Sequence, residues 1–150
     1  GETFKLPEAK IGDFPRVLGM DGRKMGKSLN NSITFTDSPE MIKEKIKGAL
    51  SDKIGGKNLL LLFEQFSDDK KLFEKFKKQY DSNVIKYSEF KPILAEAIIK
   101  KLKPIKEKRE YYEKNLKSVE KILFDGTKKA QIIAKQTLAK VKEKMFLNYF

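Results

Sequence analysis

The residues with the clearest potential for chemistry form the run Lys24-Met25-Gly26-Lys27-Ser28. Two lysines are separated by an apolar residue and a glycine, and a serine follows the second lysine. Ammonium groups donate hydrogen bonds to phosphate oxygens, and the glycine between them leaves room for a ligand near the backbone. The run therefore predicts a loop that binds a polyphosphate, although a solvated charged turn has a similar composition.

The nearest alternative motif is the P-loop, which has the pattern G-x-x-x-x-G-K-[ST]. The run Gly26-Lys27-Ser28 would supply its second half, but Asp21 occupies the position of its first glycine. The apolar stretch before the loop, residues 17–18, is also too short for the buried strand that precedes a P-loop. The sequence therefore favours a different kind of phosphate-binding loop.

The lysine-containing run and its flanks resemble a signature of the class I aminoacyl-tRNA synthetases. Lys24-Met25-Gly26-Lys27-Ser28 is similar to the KMSKS motif, with Gly26 where the family usually has serine. The flanks Gly19-Met20-Asp21-Gly22-Arg23 and Leu29-Asn30-Asn31-Ser32-Ile33 resemble the tryptophanyl branch, as does Asp37-Ser38-Pro39-Glu40 further on. Together with a long lysine-rich tail, the resemblance extends over nearly the whole chain.

The resemblance implies a function for each residue of the loop. In the class I reaction an amino-acid carboxylate attacks the α-phosphate of ATP, and negative charge grows on the departing pyrophosphate. Lys24 and Lys27 would be the catalytic residues that stabilise this charge, with the larger share on Lys27. The residues that bind ATP would be Val17 (through its backbone, at adenine), Lys24, Met25 (packed beneath the loop), Gly26 (through its N–H), Lys27 and Ser28 (through its hydroxyl).

The sequence contains neither cysteine nor histidine, and both absences limit the possible functions. Disulfides, thiolate metal sites and histidine-dependent nucleophilic catalysis are excluded. No acidic cluster forms a metal cage, so Mg²⁺ would arrive with ATP, bound by phosphate oxygens and water. The class I synthetases also carry a second signature, HIGH, whose histidines contact ATP. Because this sequence has no histidine, it does not contain that signature. We therefore expect a C-terminal fragment of such an enzyme that is inactive alone.

The net charge of +12 is concentrated after residue 37. A basic helical region beside a phosphate loop predicts a polyanionic partner such as RNA, although lysines are also common on solvated helix faces. The resemblance implies ATP, tRNA(Trp) and tryptophan as partners, with the tryptophan pocket in the missing half, and it implies a homodimer. No apolar run is long enough to span a membrane, and we expect a cytoplasmic location.

We predict a mostly α fold with a remnant of an α/β Rossmann-type nucleotide-binding domain over 1–50 and an all-helical, anticodon-binding bundle over 51–150. Short strands are predicted at 16–18 and 32–35, and Gly55-Gly56 indicates a flexible connection over 51–58. The pattern predicts six helices. The first begins near Pro39, the second covers 59–66 and the third begins near residue 68. The fourth, a long helix, is capped by Ser88 and kinked at Pro104, the fifth covers 119–124, and the sixth follows Thr127.

Two other functions remain open from the sequence. The first is a non-catalytic basic helical module that binds RNA, in which the loop is ordinary surface. The second is a fragment of a tyrosyl-tRNA synthetase, against which the long helical tail argues. A salt titration of RNA binding with and without ATP separates the non-catalytic module from the synthetase, because only the synthetase responds to the nucleotide.

Overall fold

The computed structural model describes residues 3–4, 6–12, 14 and 16–147, except for the side chain of Lys27. Over this part the chain is mostly helical, as predicted, and no β-strand is present. The strands predicted at 16–18 and 32–35, and with them a sheet of the α/β remnant, are therefore not seen. The α-helices are α1 (Pro39–Gly48), α2 (Lys53–Phe66), α3 (Lys70–Asp81), α4 (Tyr87–Lys114) and α5 (Leu116–Lys144).

Helix α1 begins where the sequence predicts it. The Oγ atom of Ser38 accepts a hydrogen bond from the backbone N–H of Met41 at 3.2 Å, and Pro39 occupies the first helical position. Such a cap satisfies one of the N–H groups that a helix leaves free at its start, and proline has no N–H to satisfy there. Helix α1 follows directly on the segment that leaves the lysine-containing loop.

Helix α2 begins six residues earlier than predicted, so the predicted flexible connection is wrong over 53–58. The carboxylate of Asp52 caps this helix by accepting from the N–H of Gly55 at 2.6 Å. Gly56 is buried against Tyr80 and Tyr87, and a Cβ atom at this position would overlap the hydroxyl of Tyr87. Gly56 therefore permits close helix packing and Gly55 permits close approach of the backbone at Leu50, whereas the local sequence indicates flexibility.

Three phenylalanines form the centre of the hydrophobic core. The ring of Phe63 on α2 contacts Phe76 on α3 and Phe90 on α4 edge to face, with centroid distances of 5.9 and 5.5 Å. Edge-to-face contacts are favoured by the ring quadrupole. Burial of each aliphatic side chain around them contributes about 1.5–3 kcal/mol. The fully buried aliphatic residues are Ile42, Ile46, Leu59, Leu94 and Ile98.

Helix α4 continues through two prolines, Pro92 and Pro104. An interior proline removes one backbone hydrogen bond and costs roughly 3 kcal/mol. The buried side chains of Leu94, Ile98 and Leu102 lie between the two prolines and hold the helix against the core. The predicted long helix is thus confirmed, but it begins at Tyr87, so Ser88 lies inside the helix and is not its cap as predicted. The kink at Pro104 stays a prediction.

The last two predicted helices are one continuous helix, α5. The sequence Asp125-Gly126 does not end it, and a Cβ atom at Gly126 would meet nothing within 4 Å. No residue of α5 is buried. A glycine inside a helix costs only about 1 kcal/mol, which the helical sequences on both sides outweigh.

The chain forms two compact units. One unit is Gly12–Lys108, which contains the lysine-containing loop, α1, α2, α3 and most of α4. The other comprises Gly1–Ile11 and Arg109–Phe150, which contains the end of α4 and all of α5. None of the helices in the described part of the chain combines the length and the hydropathy that a membrane crossing needs.

Candidate functional site

A tight backbone turn carries the first lysine of the signature. Leu18 and Lys24 pair in an isolated antiparallel bridge, and the N–H of Gly19 donates to the carbonyl of Arg23 at 2.8 Å. Gly22 lies in this turn with a φ of 73°, a conformation that residues with a Cβ rarely adopt. The Lys24 side chain is exposed at the end of the turn.

A short 3₁₀ turn, Lys27–Leu29, carries the second lysine and the serine. The N–H of Leu29 donates to the carbonyl of Gly26 at 3.1 Å, which closes the turn. The Ser28 side chain is exposed, whereas the Lys27 side chain lies outside the part that the structure describes. The predicted phosphate-binding residues from 24 to 28 thus lie in one short loop with an exposed ammonium group and an exposed hydroxyl.

Asn31 is buried inside this loop and bonds to both of its halves. Its Nδ2 donates to the carboxylate of Asp21 at 2.8 Å and to the carbonyl of Lys24 at 3.1 Å. Its Oδ1 accepts from the backbone N–H of Gly26 at 3.0 Å. The Gly26 N–H, which the resemblance implies as a phosphate donor, is therefore engaged inside the loop in this conformation.

The carboxylate of Asp21 is a fixed negative charge in the loop. It accepts from Asn31, and it also accepts from the backbone N–H and the Nε of Arg23 at 3.0 and 2.8 Å. These hydrogen bonds, above all that of Asn31, lower the pKa of Asp21 to about 2 against the opposing effect of desolvation. Because Arg23 pairs with this carboxylate, Asp21 does not cancel the positive charge of the exposed lysine.

Helix α2 anchors the entrance of the loop through Asn58. The N–H of Leu18 donates to Oδ1 of Asn58 at 3.0 Å, and Nδ2 of Asn58 donates to the carbonyl of Leu18 at 3.0 Å. This is the pairing that a neighbouring strand would supply. The sequence predicts a flexible connection at Asn58, although a polar residue directly before four leucines is a signal for a buried anchor.

A buried ion pair anchors the exit of the loop to α1 and α4. The carboxylate of Asp37 bonds to the Nζ of Lys45 at 2.7 Å and to the N–H of Thr34 at 2.9 Å. The Nζ of Lys45 also donates to the carbonyl of Ser32, and the Nζ of Lys106 donates to the carbonyl of Asp37. Burial raises the pKa of Asp37, but the bonds from Lys45 and Thr34 outweigh it and hold this pKa below its ordinary value.

Val17 and Met25, both predicted to bind ATP, line a half-open apolar cavity of about 230 Å³ beside the loop. Met25 is 37% exposed, so it lies at the edge of this cavity and is not fully packed beneath the loop as expected. An apolar wall next to a basic loop offers both of the surfaces that a nucleotide needs. Most of the remaining lining is apolar, from Met20, Ile33, Phe35, Leu62, Phe66, Ile98 and Leu102.

The described side chains include no group of three or more His, Cys, Asp or Glu residues that could hold a metal ion. The two carboxylates nearest the loop, Asp21 and Asp37, are each bound to a cationic side chain. This set of donors fits a site whose Mg²⁺ arrives with phosphate oxygens and water as its ligands.

Comparison with known proteins places the loop in a family. The family model described as "tRNA synthetases class I (W and Y)" matches residues 2–142. The tryptophan–tRNA ligase of Helicobacter pylori is 35% identical and that of Aquifex aeolicus 30% identical, each over 98% of this chain. A crystal structure of tryptophanyl-tRNA synthetase from Campylobacter jejuni complexed with ADP and tryptophan is similar with a TM-score of 0.74 and 28% identity.

The structural match covers 97% of this chain and 48% of the Campylobacter jejuni chain. The chain likewise spans 40% of the Aquifex aeolicus ligase and 48% of the Helicobacter pylori ligase, or about half the length of its relatives. The matched region includes both the loop and the helices that anchor it. The chain belongs to the class I tRNA synthetases of the tryptophan and tyrosine type.

Proposed function

We propose that this chain is the part of a tryptophan–tRNA ligase that supplies the pyrophosphate-binding loop and contacts to tRNA. The whole enzyme would activate tryptophan with ATP and transfer it to tRNA(Trp). The observation that carries the proposal is the loop itself, in which Asn31 bonds to the backbone of Lys24 and Gly26. The short turn that follows directly carries Lys27 and Ser28. The similar ligases and the Campylobacter jejuni complex with ADP and tryptophan support it.

The chemistry assigned to the loop is stabilisation of charge. A carboxylate oxygen of tryptophan attacks the α-phosphorus of ATP, and the bond from that phosphorus to the bridging oxygen of pyrophosphate breaks. Negative charge accumulates on the β- and γ-phosphates, where the ammonium groups of Lys24 and Lys27 neutralise it. The Ser28 hydroxyl donates a further hydrogen bond. No protein nucleophile is needed, because positioning and charge supply the catalysis.

We propose that the apolar cavity binds the base and ribose of ATP. Val17 and Met25 line it, and the lysine-containing loop begins beside it. The base and ribose of ATP would lie against this wall while the phosphates extend to Lys24 and Ser28, and Mg²⁺ would travel with the phosphates. The tryptophan pocket and the HIGH signature would belong to parts of the enzyme outside this chain. We expect the enzyme to be a homodimer formed through its nucleotide-binding domain and to be located in the cytoplasm.

Contacts to tRNA are proposed for the basic helices. A groove along α3 is lined by several exposed lysines, and such a surface attracts the phosphate backbone of RNA. The helical part over 51–150 would thus serve the anticodon end of tRNA(Trp), as proposed from the resemblance. The lysines that line the groove are Lys70, Lys71, Lys75 and Lys78.

Isothermal titration of inorganic pyrophosphate into the chain tests the proposal. Lys27→Ala is expected to weaken binding about tenfold or more, since it removes a charged hydrogen-bond donor. Lys117→Ala is the matched control, because it removes the same charge from an exposed position on α5, outside the lysines assigned to RNA. It is expected to bind within about twofold of the wild type, the range expected for a screened surface charge. Equal losses in the two variants would contradict a dedicated loop.

The same titration separates the alternative function. A non-catalytic RNA-binding module would bind RNA with strong salt dependence, and neither pyrophosphate nor ATP would bind to its loop. In that case Lys24→Ala and Lys27→Ala would leave every measured affinity close to that of the wild type.

A further inference from the structure

We infer that Asn31 is the positioning residue of the phosphate loop, fixing the turn between its two lysines through hydrogen bonds that no other described side chain supplies. The inference rests on the proposed function, because it names the group that orients the same loop. In the proposed arrangement, Asn31 itself does not contact the phosphates. It acts on the backbone of Lys24 and Gly26, which flank Met25 in the middle of the signature.

The Asn31 side chain uses its amide on three different groups at once. Nδ2 donates to Asp21 and to the carbonyl of Lys24, and Oδ1 accepts from the N–H of Gly26. Its backbone carbonyl also accepts from the N–H of Met20 at 2.7 Å. The Asn31 residue is only 4% exposed, so its amide would be costly to leave unpaired. One side chain therefore ties the incoming and the outgoing arms of the loop together.

The surroundings of Asn31 accept an amide and little else. The backbone at Gly19 approaches the amide so closely that a Cβ atom there would overlap it. An aspartate at position 31 would place a second carboxylate beside that of Asp21, and it would remove the amide donor that chiefly lowers the pKa of Asp21. A smaller side chain would leave the carbonyl of Lys24 and the N–H of Gly26 without their partner. Size, donors and acceptor all point to asparagine.

Fixing Lys24 and Gly26 fixes the backbone from which the first ammonium group extends. Phosphate binding by two lysines depends on their separation, because each must reach a different oxygen of the same ligand. The bond from Asn31 also orients Asp21, which in turn binds Arg23. The positive charge of Arg23 is thereby directed to its own carboxylate, and the phosphates are left to the signature lysines.

The test compares Asn31→Asp with Asn30→Asp. Both substitutions add one negative charge to the loop, but Asn30 is exposed and has a φ of 47°, which aspartate tolerates. Two quantities are measured, namely the hydrogen exchange rate of the Gly26 amide by NMR and the dissociation constant of inorganic pyrophosphate. Asn31→Asp is expected to speed the exchange and to weaken pyrophosphate binding, each about tenfold. Asn30→Asp is expected to change the exchange rate less than about twofold.

A rescue experiment distinguishes positioning from general stability. Adding Asp21→Asn to Asn31→Asp makes an amide face a carboxylate again but leaves the carbonyl of Lys24 without its donor, so part of the Gly26 protection is expected to return. Asn31→Ser adds no charge and is expected to speed Gly26 exchange with an unchanged circular dichroism spectrum, so it replaces Asn31→Asp if that variant does not fold. Wild-type exchange in both Asn31→Asp and Asn31→Ser would overturn the inference.

The two proposals fail in different ways. If the wild-type chain binds no pyrophosphate, the proposed function of the loop is wrong, while Gly26 exchange still reports whether Asn31 holds the turn. If pyrophosphate binds to the wild type and Asn31→Asp binds it equally well, the loop function stands and the positioning role of Asn31 is wrong.

Discussion

Charged residues around the loop differ strongly in what they contribute to stability. In the pair Asp37–Lys45, the exposed side-chain fractions are 5% for Asp37 and 15% for Lys45. In the pair Lys43–Glu96 they are 55% for Lys43 and 62% for Glu96. Removing one partner of a buried pair leaves an uncompensated charge, which is costly, whereas exposed pairs are screened by water and salt. The buried pair is thus the one that holds the exit of the loop in place.

We predict that Lys45→Met lowers the free energy of unfolding by about 3 kcal/mol. Lys43→Met, the matched control on the same helix, is predicted to lower it by less than about 1 kcal/mol. Urea denaturation followed by circular dichroism measures both values. Losses of equal size would show that the Asp37–Lys45 pair has no special role.

The lowered pKa of Asp37 makes the stability of the fold depend on pH. A carboxylate whose pKa is lower in the folded than in the unfolded state stabilises the fold above its unfolded pKa of about 3.9. That stability is lost as the pH falls through the folded pKa. We predict that Asp37→Asn loses less stability than the wild type between neutral pH and about pH 3, as measured by urea denaturation at each pH. Parallel losses in the two proteins would contradict the assignment.

At the scale of the elements, the sequence predicts structure well where local signals agree with packing. The start of α1 follows from Ser38 and Pro39, and the length of α4 follows from an apolar stripe that continues past Pro104. The flexible connection predicted at Gly55-Gly56 and the helix end predicted at Gly126 are both wrong. The reason at Gly56 is its close contact with Tyr87, a residue distant in sequence, and a local pattern carries no information about such a contact.

The two glycines give opposite predictions for the same substitution. Gly126→Ala is predicted to stabilise α5 by about 1 kcal/mol, because alanine favours helix and its Cβ would meet no atom. Gly56→Ala is predicted to destabilise the core, because its Cβ would overlap the Tyr87 hydroxyl. Amide hydrogen exchange in each helix measures both effects. Stabilisation by Gly56→Ala would show that α2 does not pack closely there.

The candidate site shows the same division between local and long-range information. Lys24, Lys27 and Ser28 are recognisable from their spacing alone, and the structure places their backbone in one loop. The groups that hold this loop are Asn31 and Asn58, and the bonds of Asn58 join residues forty positions apart. The sequence does not identify the role of Asn31, because hydrogen-bond partners on separate segments are set by the fold.

At the scale of the whole molecule, charge is the dominant property. The net charge of +12 and the lysine-lined groove of α3 favour contact with a polyanion. We predict that the affinity for RNA falls steeply between roughly 50 and 200 mM salt, because binding releases counterions from the phosphate backbone. Filter binding across this range measures the slope. An affinity that does not change with salt would contradict an electrostatic contact.

We propose that the loop containing Lys24 and Lys27 binds the diphosphate that leaves a nucleotide. NMR spectra of the ¹⁵N-labelled chain, recorded while inorganic pyrophosphate is added, test this binding. The amide signals of residues 24–28 are expected to shift most and those of residue 31 to follow, and Lys27→Ala is expected to need about tenfold more pyrophosphate for the same shifts. Shifts confined to the lysines of α3 and α4, with the loop signals unchanged, would contradict it.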